Sequence, residues 1–264
     1  MSCISFVRPR KTVPISVTGE RCDLKCMHCG GSYLARMRNS EEMGSMDPAP
    51  SYLITGGCDL AGRVPILEHR EIILNLPRKS IKIAHTGLVD KEDPKRLSEL
   101  IDIVSFNFVG EDRTIREIYG LDRTVQDYVD SYRSLSRFLP TYPHMTIGLD
   151  RGRVVGEMQA LDILEGLGVE SLVLNLFIPT IGTVLEHVPP PPLGEVRKLL
   201  RKARGTFENV YLGCMRPGGS YRRKLDVMAV EEELDRIVNP TRPARELASR
   251  KGFSIEWKEE CCII

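Results

Sequence analysis

The sequence is poor in aromatic residues and has no excess of charge of either sign. Phenylalanine, tryptophan and tyrosine make up 6% of its 264 residues, and the formal net charge is +1. Nucleic acids and acidic lipid surfaces select for clustered positive charge, so this balance predicts neither as a partner. The 42% hydrophobic content is enough to build a sizeable buried core.

Long apolar runs are also missing. No stretch reaches the ~20 apolar residues of a membrane-spanning helix, and the first residues lack the apolar centre of a secretory signal. We therefore expect a cytoplasmic protein without a membrane partner. Eight cysteines in such a chain favour metal or redox chemistry over a disulfide framework, because thiols stay reduced in that compartment.

Short apolar runs alternate with helical stretches along the chain, a pattern typical of parallel βα units. Eight runs are candidate strands: Val13–Thr18, Tyr52–Thr55, Ile81–Ala84, Ile101–Phe108, His144–Gly148, Ser171–Ile178, Val210–Gly213 and Arg236–Val238. Residues 33–50 leave room for only a short helix in the first crossover. We predict an α/β fold, a (β/α)8 barrel of the TIM type over residues 1–252, with a tail over residues 253–264 that covers the barrel mouth.

The strongest chemical motif is Cys22-Asp-Leu-Lys-Cys26-Met-His-Cys29, directly after the first predicted strand. Thiolates are soft ligands that suit iron–sulfur clusters. Three of them can bind three irons of a [4Fe–4S] cluster and leave the fourth open to a substrate or cosubstrate. The alternative is a zinc site with His28 as fourth ligand, which we disfavour because adjacent residues seldom face one metal.

This CxxxCxxC motif resembles that of the radical S-adenosylmethionine (SAM) superfamily. In that superfamily the open iron binds SAM, and electron transfer cleaves SAM to methionine and a 5′-deoxyadenosyl radical. Three further segments resemble its SAM-binding motifs. They are Thr55-Gly56-Gly57, where this sequence has Cys58 in place of the usual Glu, the stretch from Gly148 to Glu157, and Ile178-Pro179-Thr180-Ile-Gly-Thr183.

Two other strand ends carry polar side chains, His85 and Asn107. The carboxyl ends of barrel strands hold the active site in this architecture, so both are candidates for contact with SAM. A histidine that is simply hydrogen-bonded at a strand end is an equally good interpretation of His85.

More closely, the chain resembles the smaller protein of the split, two-protein lipoyl synthases. The matching segments are ISVTGERCDLKCMHCGG, ITGGCDLAGRVP, HTGLVD, IREIYGL, YLGCMRP, IVNP and the terminal ECCII. This resemblance implies an enzyme that inserts sulfur into an octanoyl chain on a carrier-protein lysine. It also implies SAM, two [4Fe–4S] clusters of which the auxiliary one provides the sulfur, a companion synthase subunit, and a low-potential electron donor such as ferredoxin.

Four more cysteines are candidate ligands of the auxiliary cluster: Cys58, Cys214, Cys261 and Cys262. Free cysteines are often simply small buried hydrophobes, and Cys58 could instead line the SAM pocket. Only one of the adjacent pair Cys261 and Cys262 need be a ligand. Arg216, beside Cys214, is a candidate for binding a substrate carboxylate, although arginine is also a common surface residue.

Two other functions fit the same motifs. The first is a radical SAM enzyme of another reaction type, for example a rearrangement in cofactor biosynthesis, which needs no second cluster. The second is a non-catalytic iron–sulfur or zinc protein that serves electron transfer or scaffolding. Iron content separates sulfur insertion from a one-cluster reaction, and reductive cleavage of SAM excludes the non-catalytic class.

Overall fold

The computed structural model describes residues 3–39 and 48–264, and the chain divides into two compact units. The central unit comprises Lys11–Asn107 and Asp112–Tyr142. The terminal unit comprises Met1–Arg10, Phe108–Glu111 and Pro143–Ile264. Residues 40–47 of the first crossover lie outside the described residues.

The secondary structure alternates strands with helices. The strands are β1 Cys3–Val7, β2 Thr12–Ser16, β3 Arg38–Asn39, β4 Ser51–Thr55, β5 Ile81–His85, β6 Ile103–Asn107, β7 Thr141–Ile147, β8 Ser171–Leu176, β9 Asn209–Leu212, β10 Arg236–Val238 and β11 Ser254–Lys258. The α-helices are α1 Arg70–Leu74, α2 Asp93–Leu97, α3 Asp112–Thr114, α4 Val125–Ser136, α5 Glu157–Gly166, α6 Leu193–Thr206, α7 Gly219–Glu231 and α8 Arg242–Arg250. A 3-10 turn spans Leu34–Arg36, and α3 continues as a π-helical turn over Ile115–Tyr119. Within the described ranges, no helix has the length and apolar character needed to cross a bilayer.

Each unit contains a set of parallel strands. In the central unit the order is β6-β5-β4-β2-β3, and in the terminal unit it is β11-β1-β10-β9-β8-β7. Five of the six residues of β8 are buried, as expected for a parallel strand that is covered on both faces. The alternating βα order therefore builds the parallel arrangement that the sequence predicts.

All eight predicted strands are present, and three strands were not predicted. The short β3 follows the cluster motif, and β1 and β11 pair with each other in parallel. Residues 254–258, predicted as part of a tail, thus extend the sheet of the terminal unit. Trp257 lies beside Phe6, with ring centroids 5.4 Å apart, and under the Arg8 guanidinium at 4.6 Å. It anchors β11 on one side while 45% of its surface stays exposed.

Two helix starts follow the sequence signals. Thr124 and Asp127 form the predicted capping box at the start of α4, with the Thr124 N–H donating to the Asp127 carboxylate over 2.7 Å. The last helix, α8, begins directly after Thr241, as the Asn-Pro-Thr sequence suggests. At α4 the capping side chains bind backbone groups that the first helical turn leaves unpaired, whereas the buried Thr241 hydroxyl makes no such bond to α8.

A buried ion pair joins three elements of the terminal unit. Arg216 and Asp226 are both fully buried as side chains, with Nη2 and Oδ1 3.2 Å apart. The guanidinium donates to the carbonyl of Gly213, after β9, and to that of Val238, in β10. The other oxygen of Asp226 accepts the Thr241 N–H over 2.8 Å. Because a buried charge without its partner is very costly, this pair fixes the ends of β9 and β10 against the start of α8.

Gly110 provides a test of the packing in the terminal unit. A Cβ at this position would lie 2.6 Å from the Ala160 nitrogen and 2.6 Å from the Gly156 carbonyl oxygen. We predict that Gly110→Ala lowers the free energy of unfolding by ~1–3 kcal/mol, because the new Cβ would force α5 away from residue 110.

The matched control is Gly205→Ala within α6, where a Cβ would meet nothing within 4 Å. This change should leave stability unchanged or raise it by up to ~1 kcal/mol, since alanine is the better helix former. Urea unfolding followed by circular dichroism measures both variants. Equal effects of the two substitutions would contradict the packing described here.

Candidate iron–sulfur and SAM site

The motif cysteines lie on a loop that follows β2 and is fixed at two points of the central unit. The Cys58 carbonyl, just after β4, accepts the N–H of Asp23 at 3.0 Å and that of Leu24 at 3.3 Å. The Ile118 carbonyl, in the π-helical turn, accepts the N–H of Met27 at 2.8 Å. These backbone contacts hold the loop on both sides of Cys26.

Gly57 allows the cluster loop to lie against the end of β4. A Cβ at this position would be 2.0 Å from the Arg21 carbonyl oxygen and 2.5 Å from the Cys22 Cα. The Gly57 N–H donates to the Thr18 hydroxyl over 2.7 Å. Since any side chain would push Cys22 away, the Thr-Gly-Gly motif shapes the site through its backbone.

The thiols form a compact group of metal-binding atoms. Ligand atoms of Cys26, His28 and Cys29 all lie within 4.8 Å of one another, and Cys26 is buried. The pKa of Cys29 is lowered, first because the Cys26 thiol donates a hydrogen bond to it and then because His28 does so as well. Cys22 is not among the atoms of this 4.8 Å group. Its charge contributes to the raised pKa of the Cys26 thiol, and its Sγ donates to the Cys58 carbonyl at 3.9 Å.

The thiols of Cys26 and Cys29 in this group, together with Cys22 on the same loop, provide the three thiolates that such a cluster uses. A cluster ligand must be deprotonated, and the site already stabilises the thiolate of Cys29. His28 was not expected in this group, because it directly precedes Cys29 and adjacent residues seldom bind the same metal ion. Its Nδ1 is buried and has no hydrogen-bond partner, and its ring meets the edge of Tyr119 with centroids 5.3 Å apart. The zinc alternative is therefore compatible with the geometry.

The structure brings Cys58 together with the motif cysteines. Burial, followed by the charges on Cys22, Asp59 and Cys29, raises the pKa of its thiol to about 12. Asp59 organises the loop that follows, because its carboxylate accepts the N–H of Ala61 and of Arg63, each over 2.9 Å. The sequence allowed Cys58 to be either a ligand of the auxiliary cluster or part of the SAM pocket. Its position beside the cluster loop favours the SAM pocket.

Three other predicted cofactor residues end neighbouring strands of the central unit. Thr55 is buried, and its hydroxyl donates to the His85 carbonyl at 3.4 Å. His85 Nε2 lies 3.2 Å from the Asn107 Oδ1. Burial lowers the pKa of His85, so the ring is neutral near pH 7, and its hydrogen bond to Asn107 partly opposes that shift. The geometry supports the interpretation of His85 as a hydrogen-bonded strand-end histidine.

In the terminal unit, Glu157 fixes the loop after β7. Its two carboxylate oxygens accept the N–H of Gly148 and of Val155, each over 2.7 Å. Burial raises the pKa of Glu157, while these backbone hydrogen bonds act in the opposite direction. Both of the oxygens are engaged by the chain itself, so Glu157 shapes the backbone at Gly148. Ile178 and Pro179 follow β8, where the Ile178 carbonyl accepts the Thr180 hydroxyl at 3.0 Å.

A second group of thiols lies in the terminal unit. Cys214 follows β9, and its thiol interacts electrostatically with those of Cys261 and Cys262. Cys214 is exposed as a residue. The pKa of its thiol is nevertheless raised, first by burial of the thiol and then by the charge on Cys261. The Cys262 thiol donates to Cys261 and, with the N–H groups of Ile263 and Cys262, lowers the pKa of Cys261 to about 7.

Arg216 lies next to this second group but is 3% exposed. Its guanidinium is engaged by Asp226 and by two backbone carbonyls. Through these contacts Arg216 fixes the chain near Cys214. Both terminal nitrogens of its guanidinium are engaged within the protein, so neither is directed to a substrate carboxylate.

Sequence reasoning missed Ile118, Tyr119 and Arg236. The first two hold the cluster loop through a carbonyl and a ring, and Arg236 holds the chain end. None of the three is a residue type that marks a metal site. The only sequence signal for two of them is the IREIYGL segment, which resembles the lipoyl synthases without carrying a chemical motif of its own.

The contact between Gly57 and the cluster loop provides a direct test. We predict that Gly57→Ala displaces Cys22 and that the purified, anaerobically reconstituted protein loses most of its cluster-loop iron. The control Gly194→Ala, where a Cβ meets nothing within 4 Å, should keep full iron content. Iron and sulfide analysis with electron paramagnetic resonance checks both, and an unchanged cluster in the Gly57 variant would refute the role of this contact.

The sequence itself has no match among models of known protein families or among curated proteins. Solved structures do match. Methylornithine synthase PylB aligns with 96% of this chain and 83% of its own, at a TM-score of 0.62 and 11% identity. The structure of anSMEcpe with bound AdoMet and the Cp18Cys peptide aligns with 75% of this chain and 62% of its own, at 0.53 and 17% identity.

Another structure of anSMEcpe with bound AdoMet covers 85% of this chain and 65% of its own, at a TM-score of 0.52 and 13% identity. This chain thus spans slightly less than two thirds of anSMEcpe. At these identities the likeness shows the fold. The chain has the α/β fold of the TIM-type barrel found in radical SAM enzymes, as the sequence predicted.

Proposed function

We propose that the protein is a radical SAM sulfurtransferase of the lipoyl synthase type, which acts on an octanoyl chain attached to a carrier-protein lysine. The observation that carries the proposal is the presence of a set of thiols in each of the two units. One is Cys22, Cys26 and Cys29 on the cluster loop, and the other is Cys214, Cys261 and Cys262 in the terminal unit. A one-cluster reaction needs only the first.

In this proposal the cluster loop holds the catalytic [4Fe–4S] cluster, and the strand ends of the central unit at Thr55, His85 and Asn107 contribute to the surroundings of SAM. When bound, the cluster and SAM supply the radical chemistry that removes hydrogen from an unactivated carbon. Side-chain acids and bases cannot do this, because an alkyl C–H bond has no accessible pKa. The residues of the chain therefore act by binding and positioning rather than by proton transfer.

Individual residues have distinct tasks. Gly57 and the Cys58 carbonyl keep Cys22 and its neighbours in place, and the Thr55 and His85 backbones form the adjacent strand ends. A neutral His85, hydrogen-bonded to Asn107, adds no charge close to a cationic sulfonium. We assign Cys58 to this site and not to the auxiliary centre, because its thiol interacts with Cys22 and Cys29.

The auxiliary centre is proposed on Cys214 with one or both of Cys261 and Cys262. The tail supplies these ligands, and the prediction that residues 253–264 form a tail covering the barrel mouth stays part of the proposal. The partners that follow are an octanoylated lipoyl-carrier protein, a companion synthase subunit and a low-potential electron donor such as ferredoxin. We also propose that the protein is cytoplasmic, because free thiols and such clusters persist in reducing compartments.

The grouping of His28 with Cys26 and Cys29 favours a second candidate, a non-catalytic zinc protein. A single ion with thiolate and imidazole ligands would use these atoms directly. Metal analysis and SAM cleavage decide between the two functions. Zinc in place of iron and sulfide in protein purified without oxygen, together with no reductive cleavage of SAM, would establish this candidate.

The proposed function predicts sulfur insertion. Reconstituted protein, given SAM, reductant and the companion subunit, should add one sulfur per event to an octanoyl-lysyl or monothiolated octanoyl-lysyl peptide, as measured by mass spectrometry. The variant with Cys22, Cys26 and Cys29 all replaced by Ala should form no 5′-deoxyadenosine, because it cannot hold the catalytic cluster. Formation of 5′-deoxyadenosine without sulfur insertion on either peptide would favour a rearrangement.

The auxiliary centre predicts a separate effect of the tail. Replacing Cys261 and Cys262 together by Ser should remove about four irons per chain, the content of one [4Fe–4S] cluster. Reductive SAM cleavage should persist, and sulfur insertion should stop. The matched control is Cys3→Ser, at an exposed cysteine that begins β1, which should change neither. Full iron content and continued sulfur insertion in the double variant would show that the tail cysteines are not ligands.

A further inference from the structure

Arg236 is a half-buried charged residue that holds the end of the chain. It begins β10, and its register partner on β9 is Tyr211. The guanidinium lies over the Tyr211 ring, 4.4 Å from the centroid. One of its terminal nitrogens, Nη1, donates to the carbonyl of Cys262 and, over 2.9 Å, to the carbonyl of Ile264. A single side chain therefore binds two backbone groups of the last turn.

The end of the chain packs tightly where Arg236 holds it. The last strand, β11, ends at Lys258, and the Ile264 N–H then closes a turn onto the Cys261 carbonyl over 3.0 Å. Cys262 and Ile263 are 7% and 3% exposed. Chain ends usually fray unless specific contacts tie them down, so the contacts of Arg236 explain why this segment is buried.

The same segment carries two thiols of the second thiol group. Cys261 and Cys262 both interact electrostatically with Cys214, which follows β9. Because Tyr211 and Cys214 are three residues apart on one chain segment, the Arg236–Tyr211 contact ties the tail to the segment that presents Cys214. Arg236 thus connects the tail, through its backbone, to the segment that carries Cys214.

We propose that Arg236 is the positioning residue that holds Cys261 and Cys262 beside Cys214, so that these three thiolates can bind one metal centre. This inference rests on the auxiliary centre of the proposed function. Arg236 acts through the backbone of the tail and does not touch the metal. Its Nη1 carries two N–H bonds and donates to both carbonyls. Its flat guanidinium also stacks on an aromatic ring, which a lysine ammonium cannot reproduce.

The test compares three variants in the background in which Cys22, Cys26 and Cys29 are replaced by Ala, so that any remaining iron reports on the second centre. Arg236→Met keeps the apolar stem and removes the donors, whereas Arg236→Lys keeps the charge. Arg250→Met, at an exposed position of α8, is the control. Circular dichroism and thermal unfolding establish that each variant folds. Alkylation of Cys262 in the metal-free protein, followed by mass spectrometry, measures how firmly the tail is held.

Arg236→Met should raise the alkylation rate of Cys262 by roughly tenfold or more, the factor that corresponds to losing one hydrogen bond from a charged donor. It should also abolish the iron of the second centre. Arg236→Lys should give intermediate values, and Arg250→Met should match the background. These readouts do not require enzymatic activity.

Three results would overturn the inference in different ways. An unchanged alkylation rate in Arg236→Met would show that the side chain does not hold the tail. Faster alkylation with full iron content would show that the tail is held for stability alone. Absence of iron in the background with Arg236 intact would refute the auxiliary centre of the proposed function, and the alkylation rates would still decide whether Arg236 fixes the chain end.

Discussion

The cluster loop can lie against the end of β4 only because residue 57 has no side chain. The Arg21 carbonyl and the Cys22 Cα occupy the space that a Cβ would need. Once this approach is made, the Cys58 carbonyl can accept two N–H groups of the loop, and Cys58 itself comes beside the motif thiols. The position of Cys22 thus depends on the absence of a side chain at residue 57, which follows β4 and lies 35 residues away in the sequence.

On its other side the loop depends on an irregular helix. The π-helical turn leaves the Ile118 carbonyl free to accept the Met27 N–H, and it places the Tyr119 ring against His28. Turns of this kind are uncommon and concentrate at functional sites. Ile118 lies in the last turn of this helix, where carbonyls have no intrahelical partner, so its carbonyl is available to the loop.

Two arginines, one buried and one half-buried, hold the chain around the second thiol group. Arg216, paired with Asp226, fixes the chain at Gly213 and Val238, and Arg236 fixes the chain end at Cys262 and Ile264. In each case the guanidinium donates to backbone carbonyls. Loops and chain ends need such donors, because their carbonyls have no partner in a helix or sheet. The thiols of this group are therefore held by interactions that lie outside the thiols themselves.

Much of the fold and of the cluster loop follows from the sequence. Local signals suffice for the eight apolar runs that became strands, for the capping box at Thr124, and for the spacing of Cys22, Cys26 and Cys29, because each depends on neighbours a few residues away. The strands β1 and β11 were missed because they pair with each other across the length of the chain, and no local signal records that pairing. The same limit applies to the sites. Only the tertiary structure decided that Cys58 joins the first thiol group, that Arg216 is buried in an ion pair, and that Arg236 reaches the tail. These are contacts between residues far apart in sequence, and no periodicity or spacing along the chain encodes their distance in space.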